Sequence, residues 1–195
     1  MKIIYIDTET TGLEPDRHGV HQISGYVEKD GVPVDRFNYK VRPRTGCMIT
    51  PKALEVANVT VEQLKEYPEM GRVYRDFTGM LSKHINKFNK KDKAFFAGYN
   101  AHFDNGFIRK FMGDCGDQFF GSWFYSGNID VMVLALNKLK RERENMANFQ
   151  LMTVAEHMGM KVDKERGHDA MYDIFLTREM YCKIEGQDPQ WPAGW

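Results

Sequence analysis

The chain has 195 residues, of which 42% are hydrophobic and 28% charged, and its 27 basic and 27 acidic residues cancel. That length suits one well-packed domain, and the composition is ordinary for a soluble globular protein. No apolar run is long enough to span a membrane, MKIIYID lacks the apolar stretch of a signal peptide, and Cys47, Cys115 and Cys182 form no CxxC pair. A membrane protein, a disulfide framework and a thiolate zinc site are therefore not expected, and a reduced, cytoplasmic protein is.

In chain order, KIIYID is an apolar run of strand length. VHQISGYVE (20–28) and VPVDRFNYKV (32–41) are strand-like and flank Lys29-Asp30-Gly31, where the Asp-Gly pair predicts a tight hairpin. Thr60 to Gln63 has capping-box spacing. From 70 to 88 the apolar residues Met70, Val73, Tyr74, Phe77, Met80, Leu81, Ile85 and Phe88 recur at helical spacing, which predicts one core-facing stripe. AFFAGYN (94–100) reads as a buried strand followed by a helix over about 103–112. A short strand precedes Asp130, which caps the helix VMVLALNKL. Further helices are expected over 149–158 and from Ala170 to about Ile184, with Asp169 as N-cap of the last. Glu156 and His157 read as surface residues on a helix face. The tail QDPQWPAGW is too rich in Pro and Gly to continue a helix. Strands first, then strands alternating with helices, predict an α/β fold: a mixed sheet, antiparallel on one side and parallel further in, with helices packed on it. No internal repeat or linker divides the chain, so residues 1–185 are read as one domain and 186–195 as a short tail.

Zero net charge does not announce a nucleic-acid partner, but two local clusters stand out. KHINKFNKKDK (83–93) carries five lysines and one acid, and KLKRER (138–143) four basic residues and one acid. Each is read first as a solvated helix end, and alternatively as a path for phosphates.

The chemistry lies in the acids. Asp7 and Glu9 end the first strand two residues apart, so they share a face. Asp104 sits where AFFAGYN turns into a helix, at the carboxyl end of a strand, where ligand sites of such sheets gather. His168 precedes the last helix and Asp173 lies one turn inside it. If Asp7, Glu9, Asp104 and Asp173 converge, they make an oxygen-rich site for hard cations, Mg²⁺ or Mn²⁺. Two such ions roughly 3.5–4 Å apart serve in-line phosphoryl displacement, and a histidine with pKa near ~6.5 suits the role of base. Taken singly, each residue has a plainer reading: strand end, helix cap, surface histidine, helix acid. Their combination is the signal.

At these residues the sequence resembles the DEDDh, or DnaQ-like, 3′→5′ exonucleases over about residues 2–184. The matching stretches are Asp7-Thr8-Glu9-Thr10-Thr11-Gly12-Leu13, Asn100-Ala101-His102-Phe103-Asp104 and His168-Asp169-Ala170-Met171-Tyr172-Asp173. The five-residue step from His168 to Asp173 marks the histidine branch. The resemblance implies an RNase H-like fold, a mixed five-stranded sheet flanked by helices. It also implies two divalent metal ions held by Asp7, Glu9, Asp104 and Asp173, with His168 as general base releasing nucleoside 5′-monophosphates. It further implies that Thr10, Thr11 and Gly12 cradle the terminal nucleotide, that Leu13 wedges against its base, and that Asn100 and Phe103 shape the rim. The expected partner is nucleic acid with a free 3′ end. Single-stranded DNA, in proofreading or repair, is preferred to RNA 3′-end trimming. A non-catalytic nucleic-acid-binding subunit on the same fold is the contrasting reading. Trp191 and Trp195 are candidates for anchoring on a protein partner or a second copy, or for packing back on their own domain. Tyr99, His102 and Ile174 depart from the family's usual residues: Tyr99 and His102 bear on substrate handling, and Ile174 on helix packing.

Overall fold

A computed structural model describes residues 1–166 and 169–194. Strand β1 (Lys2–Thr10) leads into the hairpin of β2 (Val20–Lys29) and β3 (Val32–Lys40). Asp30 and Gly31 both take positive φ, 51° and 84°, which is what a two-residue turn between right-twisting strands demands. Helices α1 (Pro51–Ala57), α2 (Val61–Glu66) and α3 (Met70–His84) follow. Then come β4 (Ala94–Gly98), α4 (Ala101–Asp114), β5 (Phe124–Asp130), α5 (Val131–Leu139), α6 (Leu151–His157) and α7 (Ala170–Glu185). The predicted strands and most helices are present. The reciprocal Thr60–Gln63 capping box forms, and the Asp130 and Asp169 side chains cap α5 and α7.

The sheet order is β3-β2-β1-β4-β5. The first three strands are antiparallel, and β4 and β5 run parallel to β1, which makes β1 the central strand. Its residues alternate between two cores. Ile4 and Ile6 join Phe77, Leu81, Phe96 and Phe107 on the side of α3 and α4, while Ile3 and Tyr5 join Tyr26, Ala97 and Ile174 on the side of α7. A strand buried on both faces reads as a continuous apolar run, as KIIYI does. A third cluster, with Val131, Ala135, Val154 and Met180, packs α5, α6 and α7 together.

Two expectations need correction. The apolar stripe stops at Ile85: α3 ends at His84, Ile85 turns extended (φ −131°), and Phe88 lies beyond the helix with 87% of its surface exposed. Helix α1 has no counterpart in the sequence reading, because it buries no residue and so carries no apolar period; Pro in its first turn and left-handed Asn58 bound it.

The tail turns back on the domain. Gly186 ends α7 in the left-handed region (φ 71°). The Trp191 ring lies 5.4 Å from that of Tyr26, 5.1 Å from Phe175 and 4.4 Å from the Arg178 guanidinium, and its Nε1–H donates to Glu179. Trp195 lies outside the described residues. No helix among the described residues is long and apolar enough to cross a membrane.

Candidate active site

The carboxyl ends of the parallel strands β1 and β4 carry the acids. Asp7 and Glu9 pair with Ser24 and Gln22 of β2, and both are half-buried on the sheet face covered by α7. Asp104 arrives from the opposite side. Between β4 and α4 the chain turns on Asn100, whose left-handed conformation (φ 63°, ψ 46°) swings Asp104 into the first turn of α4. Asp173 sits in the first turn of α7, half-buried, with its amide donating to the Asp169 carbonyl at 2.9 Å. His168, the expected base, lies outside the described residues.

These four acids feel one another. Burial holds the Asp7 carboxyl well above the usual range, and the charges of Asp104, Glu9 and Asp173 push it further in the same direction. Asp104 is only 4% exposed, and burial pushes it up to about 7, against hydrogen bonds from Thr8 and from its own backbone that favour its charged form. The Thr8 amide donates to Asp104 Oδ1 at 2.9 Å and the Thr8 hydroxyl at 2.7 Å. Among the described residues no group of three or more His, Cys, Asp or Glu side chains is arranged to hold a metal ion. The acids are electrostatic neighbours without a preformed cage, so an ion among them would need part of its coordination from water or substrate.

A lysine also reaches this neighbourhood. Across the sheet, Glu9 faces Gln22 and Gln22 faces Lys40, whose ammonium donates to Gln22 Oε1. Burial lowers the Lys40 pKa while Glu9 and Asp169 raise it. Its place on β3, far from the acids in sequence, hid it from sequence reasoning.

Thr10 and Thr11 turn inward: the Thr10 hydroxyl donates to the Gly12 carbonyl at 2.7 Å, and the fully buried Thr11 hydroxyl donates to the Met48 carbonyl at 2.6 Å. Gly12 lies against the His18 ring, so a Cβ there would sit 2.1 Å from His18 Cδ2. Leu13 is 80% exposed. Asn100 is exposed, and the partly buried Phe103 ring lies 4.9 Å from that of Phe107. His102 is exposed, and Tyr99 donates its hydroxyl to the Phe149 carbonyl at 2.7 Å. Ile174 is buried in the core under α7. Glu156 and His157 are exposed; Glu156 forms an ion pair with Lys164, and His157 Nε2 lies 2.7 Å from Glu142 Oε2.

Two supporting residues were missed or underread. Thr8 passed unremarked between two acids, although period-two alternation turns it toward the α4 side, where Asp104 arrives. Asp130 does more than cap α5: the Oδ1 that accepts from Met132 (3.1 Å) and Val133 (3.3 Å) also accepts from the Asn100 amide (3.2 Å). It thereby ties the turn that delivers Asp104 to the end of β5.

A family model described as RNase_T, Exonuclease, matches residues 4–181. The chain belongs to the exonuclease family. Within it, the chain is 26% identical over 181 residues to the PolC-type DNA polymerase III of Thermotoga petrophila, covering 93% of this chain and 12% of that protein. It is 23% identical over 187 residues to ribonuclease T of Hahella chejuensis, covering 93% of this chain and 82% of that one. The chain thus spans about an eighth of the PolC-type relatives and most of the ribonuclease T relative. Among solved structures, E. coli exonuclease I in complex with a dT13 oligonucleotide superposes with a TM-score of 0.75 at 17% identity, covering 96% of this chain and 42% of that one. The zinc-bound complex of the same enzyme with single-stranded DNA also gives 0.75, at 18% identity, covering 97% and 41%. The fold of this exonuclease-family domain is RNase H-like, a mixed five-stranded sheet with flanking helices.

Proposed function

We propose that the chain is a metal-dependent 3′→5′ exonuclease that removes nucleoside 5′-monophosphates from single-stranded nucleic acid, with DNA favoured. The observation that carries this is the junction of β1 and α4: Thr8, between Asp7 and Glu9, donates both its amide and its hydroxyl to Asp104, so acids from distant parts of the chain meet at one end of the sheet. Burial and the charges of Asp104, Glu9 and Asp173 hold the Asp7 carboxyl well above the ordinary range, a penalty that bound cations would reverse. The donor set is all carboxylate oxygen, which fits Mg²⁺ or Mn²⁺. Asp7, Glu9 and Asp173 would hold one ion, and Asp7 with Asp104 a second. When bound, the pair would supply charge neutralisation on the scissile phosphate and a more acidic attacking water.

The protein's own groups supply position and proton transfer. Thr8 holds Asp104 through Oδ1 and so fixes the carboxylate's orientation. His168 is assigned the proton of the attacking water. Leu13, which is exposed, would wedge against the terminal base, and the backbone around Thr10, Thr11 and Gly12 would meet its sugar. DNA is preferred because exonuclease I, which shares the fold, is seen holding a dT13 oligonucleotide, and because the PolC-type relatives are DNA polymerases. Proofreading or repair of DNA ends is the setting this suggests. The likeness to ribonuclease T favours RNA as the second reading.

The test is a degradation ladder on 5′-labelled DNA and RNA strands of one sequence, with Mg²⁺ or Mn²⁺ and an Asp7→Asn control. Stepwise shortening absent from the control is expected, and the faster strand assigns the sugar. Intact label on both strands with folded protein would favour a non-catalytic nucleic-acid-binding role.

A further inference from the structure

The amino end of β4 carries a second surface that the acids do not use. Ala94 donates its amide to the Trp123 carbonyl at 3.0 Å, and Trp123 lines a cavity of about 480 Å³ there. The five residues of β4 separate this cavity from the acid end, roughly 16 Å of strand. A second cavity of about 440 Å³ adjoins it, and Lys87 and Phe88 line both. Phe88 is 87% exposed and Phe119, on the rim of the first cavity, 72%. Two large rings so exposed on one cleft are unusual on a surface with no partner.

Lysine stands beside both rings: Lys87 lines both cavities and Lys83 the second. The segment 83–93 contributes Lys83, Lys87, Lys90, Lys91 and Lys93. Its acid, Asp92, is taken by Lys2 from outside the segment. Among the described residues none of the five lysines is in an ion pair. Lys87 Nζ lies 5.4 Å from the ring centres of both Phe88 and Trp123, so cation and aromatic faces are interleaved. The acid in the cleft, Asp117, is already engaged by the Tyr74 hydroxyl at 2.8 Å and the Phe119 amide at 2.7 Å. The buried Trp123 Nε1–H has no acceptor among the described residues.

We infer that the cleft between Phe88 and Phe119, with its lysine rim, is a second, non-catalytic binding site for single-stranded nucleic acid. Phosphates would meet the lysines, and a base would stack on an exposed ring. Interleaved cations and aromatic faces are what sequence-tolerant strand binding requires. The inference goes beyond the exonuclease reading, since binding here needs neither metal nor cleavage.

The test is fluorescence anisotropy with 5′-fluorescein oligothymidylate and oligouridylate of equal length, in EDTA, at several salt concentrations. Without metal nothing is cut, and comparing the cleft variants with wild type and the control separates this surface from any binding at the acid end, whether or not the protein is a nuclease. Lys87→Glu and Phe88→Ala change exposed side chains, and Lys140→Glu in the other basic cluster is the control. Both cleft variants are expected to raise Kd at least about fivefold. Lys87→Glu should also flatten the slope of log Kd against log salt by about one, and Lys140→Glu should behave as wild type. Wild-type affinity in both cleft variants would overturn the inference. So would an unchanged Phe88→Ala with equal weakening by Lys87→Glu and Lys140→Glu, which would mean bulk charge alone.

Discussion

Thr8 and Asp104 are 96 residues apart in sequence and joined by two hydrogen bonds to a single carboxylate oxygen. The acid most removed from solvent is thereby oriented by the residue between the other two acids of β1. Thr8→Val keeps the shape and the amide bond and removes the hydroxyl. The remaining hydrogen bonds favour the charged form less, so the Asp104 carboxyl should move above about 7. Loss of a supporting partner of this kind costs about 10–100-fold in metal affinity or activity. Metal titration of turnover should shift accordingly, and Thr8→Ser should restore it. Equal metal dependence in Thr8→Val and wild type would show the hydroxyl to be structural only.

The raised carboxyls make stability depend on pH. A carboxyl with its folded pKa raised contributes stability that is present below its unfolded value and lost as pH rises through the folded one. For Asp104 that window runs from 3.8 to about 7, and Asp7 acts in the same direction. His21 opposes them: burial lowers its pKa from 6.5 to about 4, so its contribution is lost as pH falls through that range. Comparing Asp7→Asn with wild type cancels the histidine. In EDTA near neutral pH the variant should be more stable by on the order of 1 kcal/mol, and the gap should close toward pH 4. Mn²⁺ should raise the melting temperature of wild type and not of the variant. A variant less stable than wild type in EDTA at neutral pH would contradict the repulsion argument.

Arg178 and Glu28 form an ion pair under the tail, Nε to Oε2 at 2.8 Å, with side chains 0% and 4% exposed. Arg178 Nη2 also donates to the Gly31 carbonyl at 2.7 Å, which ties α7 to the β2–β3 turn. Removing one partner strands a buried charge. Glu28→Ala should therefore lose about 3–5 kcal/mol in urea unfolding, whereas Trp191→Ala, which uncovers the guanidinium, should lose less. A loss below about 1 kcal/mol in Glu28→Ala would place the pair among surface-like bridges.

His168 enters through sequence alone. If it takes the proton of the attacking water, activity should rise with pH through the imidazole pKa, near ~6.5 when unperturbed, and then level. His168→Ala should retain metal and strand binding and lose about 10²–10⁴-fold in turnover. Unchanged turnover in that variant would remove it from the mechanism.

The local elements and the acids were legible in the sequence because each leaves a local trace. Alternation and apolar runs mark the strands, Asp30-Gly31 the hairpin, Thr60–Gln63 the capping box, and Asp7-Thr8-Glu9 the strand end that carries the chemistry. Tertiary structure decided what depends on partners distant in the chain. The Thr8 hydroxyl finds Asp104 only because β1 lies beside β4 and α4. Asp130 reaches Asn100 because two parallel strands end together. Lys40 nears Glu9 across two strand pairings. Phe88 continued the helical period of α3, yet lies outside the core because the helix stops four residues earlier. Periodicity reports which face a residue would share if its element continued. Where the element stops, and what packs against it, is set by contacts between segments that share no local pattern.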